Sequence, residues 1–147
     1  MTGLAAEIAR EFLVVVWDGN APDEAILLRA LDKLLSRSHD VPFANCAECD
    51  DQPPQMGGSA LYRKAAERFP DLGMYPVSDP LKPIEDDRML ADAIDDLADM
   101  TRDLSEVLWR DENLGSDDAA WCFRLLYFHW ARHARELSLY LHARQFG

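Results

Sequence analysis

The sequence predicts an all-α fold, an up-and-down helical bundle of four long helices plus one short helix, with the aromatic C-terminal helix central. Three observations lead there. All eight prolines (Pro22, Pro42, Pro53, Pro54, Pro70, Pro76, Pro80 and Pro83) precede residue 84, so the rest of the chain lacks the residue that disrupts a helix interior by about 3 kcal/mol. Apolar side chains recur at helical spacing in several long segments. No strand-length stretch alternates apolar and polar residues.

Leu4, Ile8, Phe12, Val15 and Val16 repeat at helical spacing and stop at Asp18-Gly19-Asn20, a first helix with a glycine end signal. Pro22 and Asp23 suit the first turn of a second, whose apolar face is Ile26, Leu27, Ala30, Leu31, Leu34 and Leu35 and whose end falls near Ser36 to Ser38. Residues 39–58 mix turn formers, acids and two cysteines without period, and read as a surface loop. Ser59 is placed to cap a short third helix through Phe69, and an irregular, proline-rich stretch follows.

A fourth helix is expected over about residues 85–110. Leu90, Ile94, Leu97, Thr101, Leu104 and Leu108 line one side of it, and Asp92, Asp95, Asp96, Asp99, Asp103 and Glu106 the other. Residues 111–116 then connect it to a last helix, capped by Ser116 or Asp117 and running to about Ala143. From Ala119 to Ala131 only Arg124 and His129 interrupt a run holding Trp121, Phe123, Leu125, Leu126, Tyr127, Phe128 and Trp130. A helix apolar on nearly all sides belongs inside a bundle.

At 147 residues and 48% hydrophobic content, the chain is expected to form a single domain, residues 1–147, that needs neither disulfides nor a structural metal. The apolar run Phe12 to Trp17 is too short for a membrane span. It follows Glu7, Arg10 and Glu11, so it reads as core and not as a signal peptide. Three cysteines, an odd number, suggest free thiols and a cytoplasmic setting. A net charge of −12 opposes binding to nucleic-acid phosphates and to anionic membranes. The pattern sets no oligomeric state.

The charge is local. Residues 85–118 carry 13 acidic and 3 basic side chains, whereas residues 119–147 carry 1 and 4. Like charges at i,i+3 and i,i+4 each cost a few tenths of a kcal/mol on an exposed helix, so Asp92, Asp95, Asp96, Asp99 and Asp103 form an expensive solvated face. Three readings compete for this stripe. It is a solvated face offset by Arg88, Arg102 and Arg110, a contact surface for a basic protein partner, or a divalent-cation site, since carboxylates one turn apart can share Mg²⁺ or Mn²⁺. Helical pyrophosphatases of the MazG type use bundle acids in the last way, but they need a second acidic pair, and the second helix offers only Asp23, Glu24 and Asp32.

Other residues carry weaker chemical signals. Cys46 and Cys49 form a single C-x-x-C, half of a structural zinc site. His129 and His133, four apart on one helical face, are a possible metal pair without the glutamate of a zinc protease. Arg124, inside the apolar run, needs a carboxylate or other acceptors if buried. With Arg135 and His142 it marks a basic strip. Arg124 to His129 is also an R-x4-H, the spacing of HEPN ribonucleases, in which the arginine can hold phosphate and the histidine can move a proton.

The C-terminal half resembles a bacterial family known as domain of unknown function number 5063. The resemblance rests on Tyr75 to Pro80 (YPVSDP), on Asp95-Asp96-Leu97-Ala98-Asp99 followed by Arg102-Asp103-Leu104, and on Trp121 to Trp130 continuing to His133-Ala134. It implies a helical bundle in which the acidic face and the aromatic helix belong to one site or scaffold, and it supplies no catalytic residue. Taken together, the sequence favours a non-enzymatic interaction protein, such as an immunity or antitoxin-like neutraliser of a basic partner, without a cofactor. A metal-dependent hydrolase of nucleotides or related phosphates, with the aspartates as ligands, is the alternative. A HEPN-like ribonuclease comes third.

Overall fold

The computed structural model describes residues 2–85 and 89–147. The protein is mostly helical, with α1 (Leu4–Trp17), α2 (Glu24–Ser38), α3 (Gly58–Arg68), α4 (Ala93–Leu114), α5 (Ser116–Leu125) and α6 (Tyr127–Phe146). A small antiparallel sheet, β1 (Met74–Val77) with β2 (Met89–Asp92), pairs Met74 with Asp92 and Val77 with Met89. No helix among the described residues is long and apolar enough to cross a membrane. Arg88 lies outside the described residues.

The first two helices follow the sequence pattern. Asp23 caps α2 by accepting from the Ile26 amide at 2.8 Å. Arg68 closes the end of α1 by donating to the carbonyls of Val16, Asp18 and Gly19, which satisfies groups that a helix C-terminus leaves unpaired. Two caps differ from expectation: Ser59 sits inside α3, after Gly57, and Gly115 rather than Ser116 or Asp117 precedes α5.

Three features correct the expected bundle. The first is the hairpin, which takes residues 89–92 away from the fourth helix, so α4 starts at Ala93. The second is a break at Leu126 that divides the last helix into α5 and α6, with the His129 amide bonding to the Leu126 carbonyl in a tight turn. The third concerns the centre, which is α4 and not the aromatic helix. α4 packs on α1, α3, α5 and α6, and both of its sides are covered: Leu97 and Leu104 are fully buried, and Asp96 and Asp103 are 3% and 6% exposed. α6 buries Trp130, Ala134, Leu137 and Leu141 but leaves Phe128, Leu139 and Phe146 in solvent. Its apolar residues thus lie on two faces, and the bundle covers one.

Candidate metal centre

The aspartate stripe does not face solvent as a whole, because α6 runs antiparallel along it and lays two histidines on three of its carboxylates. With Asp103 opposite His129, an antiparallel register places Asp99 opposite His133. His129 Nδ1 is 2.6 Å from Asp103 Oδ2, and His133 Nδ1 is 2.6 Å from Asp96 Oδ1. Carboxylates accept only, so each Nδ1 is the protonated nitrogen and each Nε2 of a neutral ring presents a lone pair. Those two Nε2 atoms are 3.3 Å apart. Asp99 Oδ2 lies 3.2 Å from His133 Nε2 and 3.6 Å from His129 Nε2.

Each of the three converging side chains is held from behind. Asp103 orients His129, Asp96 orients His133, and Arg102 Nη2 at 3.2 Å engages Asp99 Oδ1, leaving Oδ2 for the histidines. Asp96 is itself held by the Tyr75 hydroxyl from β1. A triangle with sides of 3.2, 3.3 and 3.6 Å has a centre about 1.95 Å from each corner, and an ion lifted slightly from that plane reaches the 2.0–2.1 Å typical of zinc–histidine bonds. Among the described residues this trio, Asp99, His129 and His133, is the one group of three or more metal-type ligand atoms drawn together. Its side chains are 21–32% exposed, so solvent reaches the remaining coordination positions.

The electrostatics agree with the geometry. Burial pushes the carboxyls of Asp96 and Asp103 above the ordinary aspartate range, against the pull of their histidine bonds. Burial also opposes charge on His133, but the Asp96 hydrogen bond and the nearby Asp99 and Asp95 charges outweigh it and raise its pKa above 6.5. Three carboxylates therefore call for positive charge here. Protonating both Nε2 atoms would set two N–H groups against each other across 3.3 Å, whereas one cation satisfies both lone pairs and Asp99 together.

The other sequence candidates are elsewhere. Asp92 caps α4 through the Ile94 amide and accepts the Tyr62 hydroxyl at 2.6 Å, and Asp95 is exposed. Arg124 donates to the Val41 carbonyl and lies over the Phe43 ring, pinning the loop after α2. His129 faces Asp103 instead, so the two residues of the R-x4-H do not share a cleft. Arg135 is exposed and reaches the Tyr127 hydroxyl at 3.1 Å. Cys46 and Cys49 are exposed free thiols with no third ligand gathered to them among the described residues, and Cys122 is buried beside Glu106. The stripe as a docking face thus loses its two most buried members, Asp96 and Asp103, to α6. Residue by residue, the sequence presents the aspartates and the histidine pair as separate features; the family resemblance joins their helices in one site or scaffold and includes Tyr75, but gives Tyr75 no role. The matching spacing of Asp99/Asp103 and His129/His133 on helices expected to be antiparallel was the available signal.

No family model matches the chain, and no curated protein matches it. The chain is similar to the crystal structure of protein BF1032 from Bacteroides fragilis, a structural genomics target, with a TM-score of 0.66 at 15% identity over 98% of this chain and 89% of that one. That likeness concerns the fold alone.

Proposed function

We propose that this protein binds one divalent transition-metal ion through Asp99 Oδ2, His129 Nε2 and His133 Nε2, and that the ion serves a metal-dependent hydrolase. The observation that carries the reading is the convergence of two histidine Nε2 atoms and a carboxylate oxygen on one point while each histidine's Nδ1 is held by its own carboxylate. Histidine ligands of metals are ordinarily oriented by such a partner, which fixes the tautomer and raises ligand basicity. Mixed nitrogen and oxygen donors suit zinc, iron or manganese better than calcium. Three protein ligands with an open remainder distinguish working sites from closed structural ones, and an ion so held supplies Lewis-acid polarisation of water or a substrate oxygen. Beside His133 a groove of about 470 Å³, flanked by Tyr62, Asp95 and Arg132, gives a substrate room.

Membership of domain family 5063 is part of the same proposal, because the three segments of resemblance contribute Tyr75, Asp96, Asp99, Asp103, His129 and His133. Isothermal titration of metal-stripped protein with Zn²⁺ and Co²⁺ tests the site. One ion per chain is expected, with binding abolished by Asp99→Ala together with His133→Ala. Absence of binding, or binding indifferent to those substitutions, overturns it. Metal-dependent hydrolysis of nitrophenyl esters and phosphates then checks the activity.

A further inference from the structure

The geometry points to Tyr75 as a positioning residue that sets the metal affinity of the centre by fixing His133 through Asp96, so that the hairpin is part of the site. This inference rests on the metal-binding reading above and concerns a residue that touches neither the ion's position nor its ligands.

Asp96 is 3% exposed and uses its two oxygens in opposite directions. Oδ1 accepts from His133 Nδ1 at 2.6 Å, and Oδ2 accepts from the Tyr75 hydroxyl. A carboxylate gripped on one oxygen can swing about its χ angles and carry its histidine with it, whereas one gripped on both is fixed in plane and position. The Tyr75 ring is fixed in turn. It is 6% exposed and stacks on Tyr140, with ring centres 4.4 Å apart and planes 8° from parallel. The Tyr140 hydroxyl accepts from the Gly73 amide at 3.3 Å, and the Gly73 carbonyl accepts from Ala93, the first residue of α4. The chain of contacts therefore runs from the base of the hairpin to a ligand nitrogen without a loose joint. Burial beside Asp96 raises the phenol pKa far beyond neutrality, so the hydroxyl keeps the proton it donates.

The two histidines differ in this respect. Among the described residues Asp103, behind His129, has no hydroxyl donor on its second oxygen; Arg102 Nε stands 4.0 Å from it, beyond hydrogen-bond reach. His133 is accordingly the pre-organised ligand and His129 the adaptable one. Partners of this kind change metal affinity by roughly 10–100-fold when removed.

The test is a Co²⁺ titration of full-length protein, read by calorimetry and by the visible absorption of the bound ion. Tyr75→Phe keeps the ring stack and removes the hydroxyl; it is expected to weaken binding about tenfold and to alter the Co²⁺ spectrum while the metal-free melting temperature stays close to wild type. In a His133→Ala background the same substitution should change the residual affinity less than twofold. Tyr140→Phe, which keeps the ring stack and the Tyr75–Asp96 bond but frees the Gly73 amide, should weaken binding less than Tyr75→Phe does; an equal or larger loss would overturn the role given to the Tyr75 hydroxyl. If Tyr75→Phe fails to fold, Asp96→Asn provides the second route, with a loss nearer a hundredfold. Binding by Tyr75→Phe within twofold of wild type overturns the inference. An equal loss in the His133→Ala background also overturns it, because Tyr75 would then act through the fold. Failure of the wild-type protein to bind Co²⁺ refutes instead the metal site on which the inference rests.

Discussion

Two seams along α4 bury charge, one against α5 and one against α6, and they balance it differently. In the α5 seam, Arg110 donates to Glu106 at 2.8 Å and to Asp118 at 3.0 Å, the Ala47 amide takes the second oxygen of Asp118, and the Cys122 thiol approaches Glu106 at 3.3 Å. A guanidinium with five donors fills the space between two carboxylates, and the seam is complete as protein alone. In the α6 seam, three carboxylates meet two imidazoles whose Nε2 atoms face each other at 3.3 Å. Both seams place ionisable groups on one helix under similar cover. The difference teaches that burial of charge alone does not mark a site; what marks it is ligand-type atoms of separate side chains aimed at a common point.

The largest expected effect breaks the closed seam. Asp118→Ala leaves the mostly buried Arg110 with Glu106 alone, and removing one partner of a buried pair costs about 3 kcal/mol or more; urea denaturation should show the loss, and a change below about 1 kcal/mol would contradict the reading. Next, Zn²⁺ at a hundred times its dissociation constant should stabilise wild-type protein by about 2.7 kcal/mol. That gain should shrink by about 1.4 kcal/mol or more in His129→Ala and in His133→Ala, a tenfold or greater loss of affinity, and persist in Cys122→Ala. Asp99→Asn should separate the seams most sharply, abolishing metal binding while leaving metal-free stability within about 0.5 kcal/mol, since it relieves carboxylate crowding and gives up only a half-exposed contact to Arg102. Cys122→Ala touches only the closed seam, costing about 1 kcal/mol for one buried thiol bond, with metal affinity unchanged.

The open seam also fixes the sign of a pH dependence. The raised pKa of His133 means the metal-free folded chain holds that proton more tightly than the unfolded chain does. Its contribution is complete below pH 6.5 and is lost as pH rises through the raised value. Asp96 and Asp103, also raised, act with the same sign from pH 3.8 upward. Denaturation midpoints of metal-free protein should therefore fall from pH 6.5 to 8. Zn²⁺ should bind more tightly over the same interval because it competes with the proton. A metal-free midpoint that rises across this range contradicts the assignment.

The parts legible in the sequence were those governed by local periodicity. α1 and α2 end where glycine and capping signals place them, because their faces are simple. β1 and β2 were illegible because four residues cannot display an alternation and Pro76 sits in one of them. The central position of α4 was hidden by its charge, since a stripe of aspartates reads as a solvated surface unless the partner covering it is known. Helical periodicity shows that Asp96, Asp99 and Asp103 share a side, but which neighbour meets that side is a tertiary fact. The histidine pair carried the complementary half of the information on the helix that α4 was expected to meet.

The break at Leu126 sets the phase between the two seams. Along α5, Asp118 lies by Arg110 and Cys122 by Glu106; continued without interruption, that alignment would bring Leu125 to Asp103, His129 to Asp99 and Arg132 to Asp96. The result would be a second self-neutralised seam, with an arginine where the tethered histidine now stands. The tight turn advances the chain by about one helical turn, which delivers His129 to Asp103 and His133 to Asp99. A slip of four positions in a continuous stretch of chain thus replaces a charge-matched zipper by two histidines converging on one carboxylate, and the length of that interruption is a single parameter by which such a cluster is created or erased.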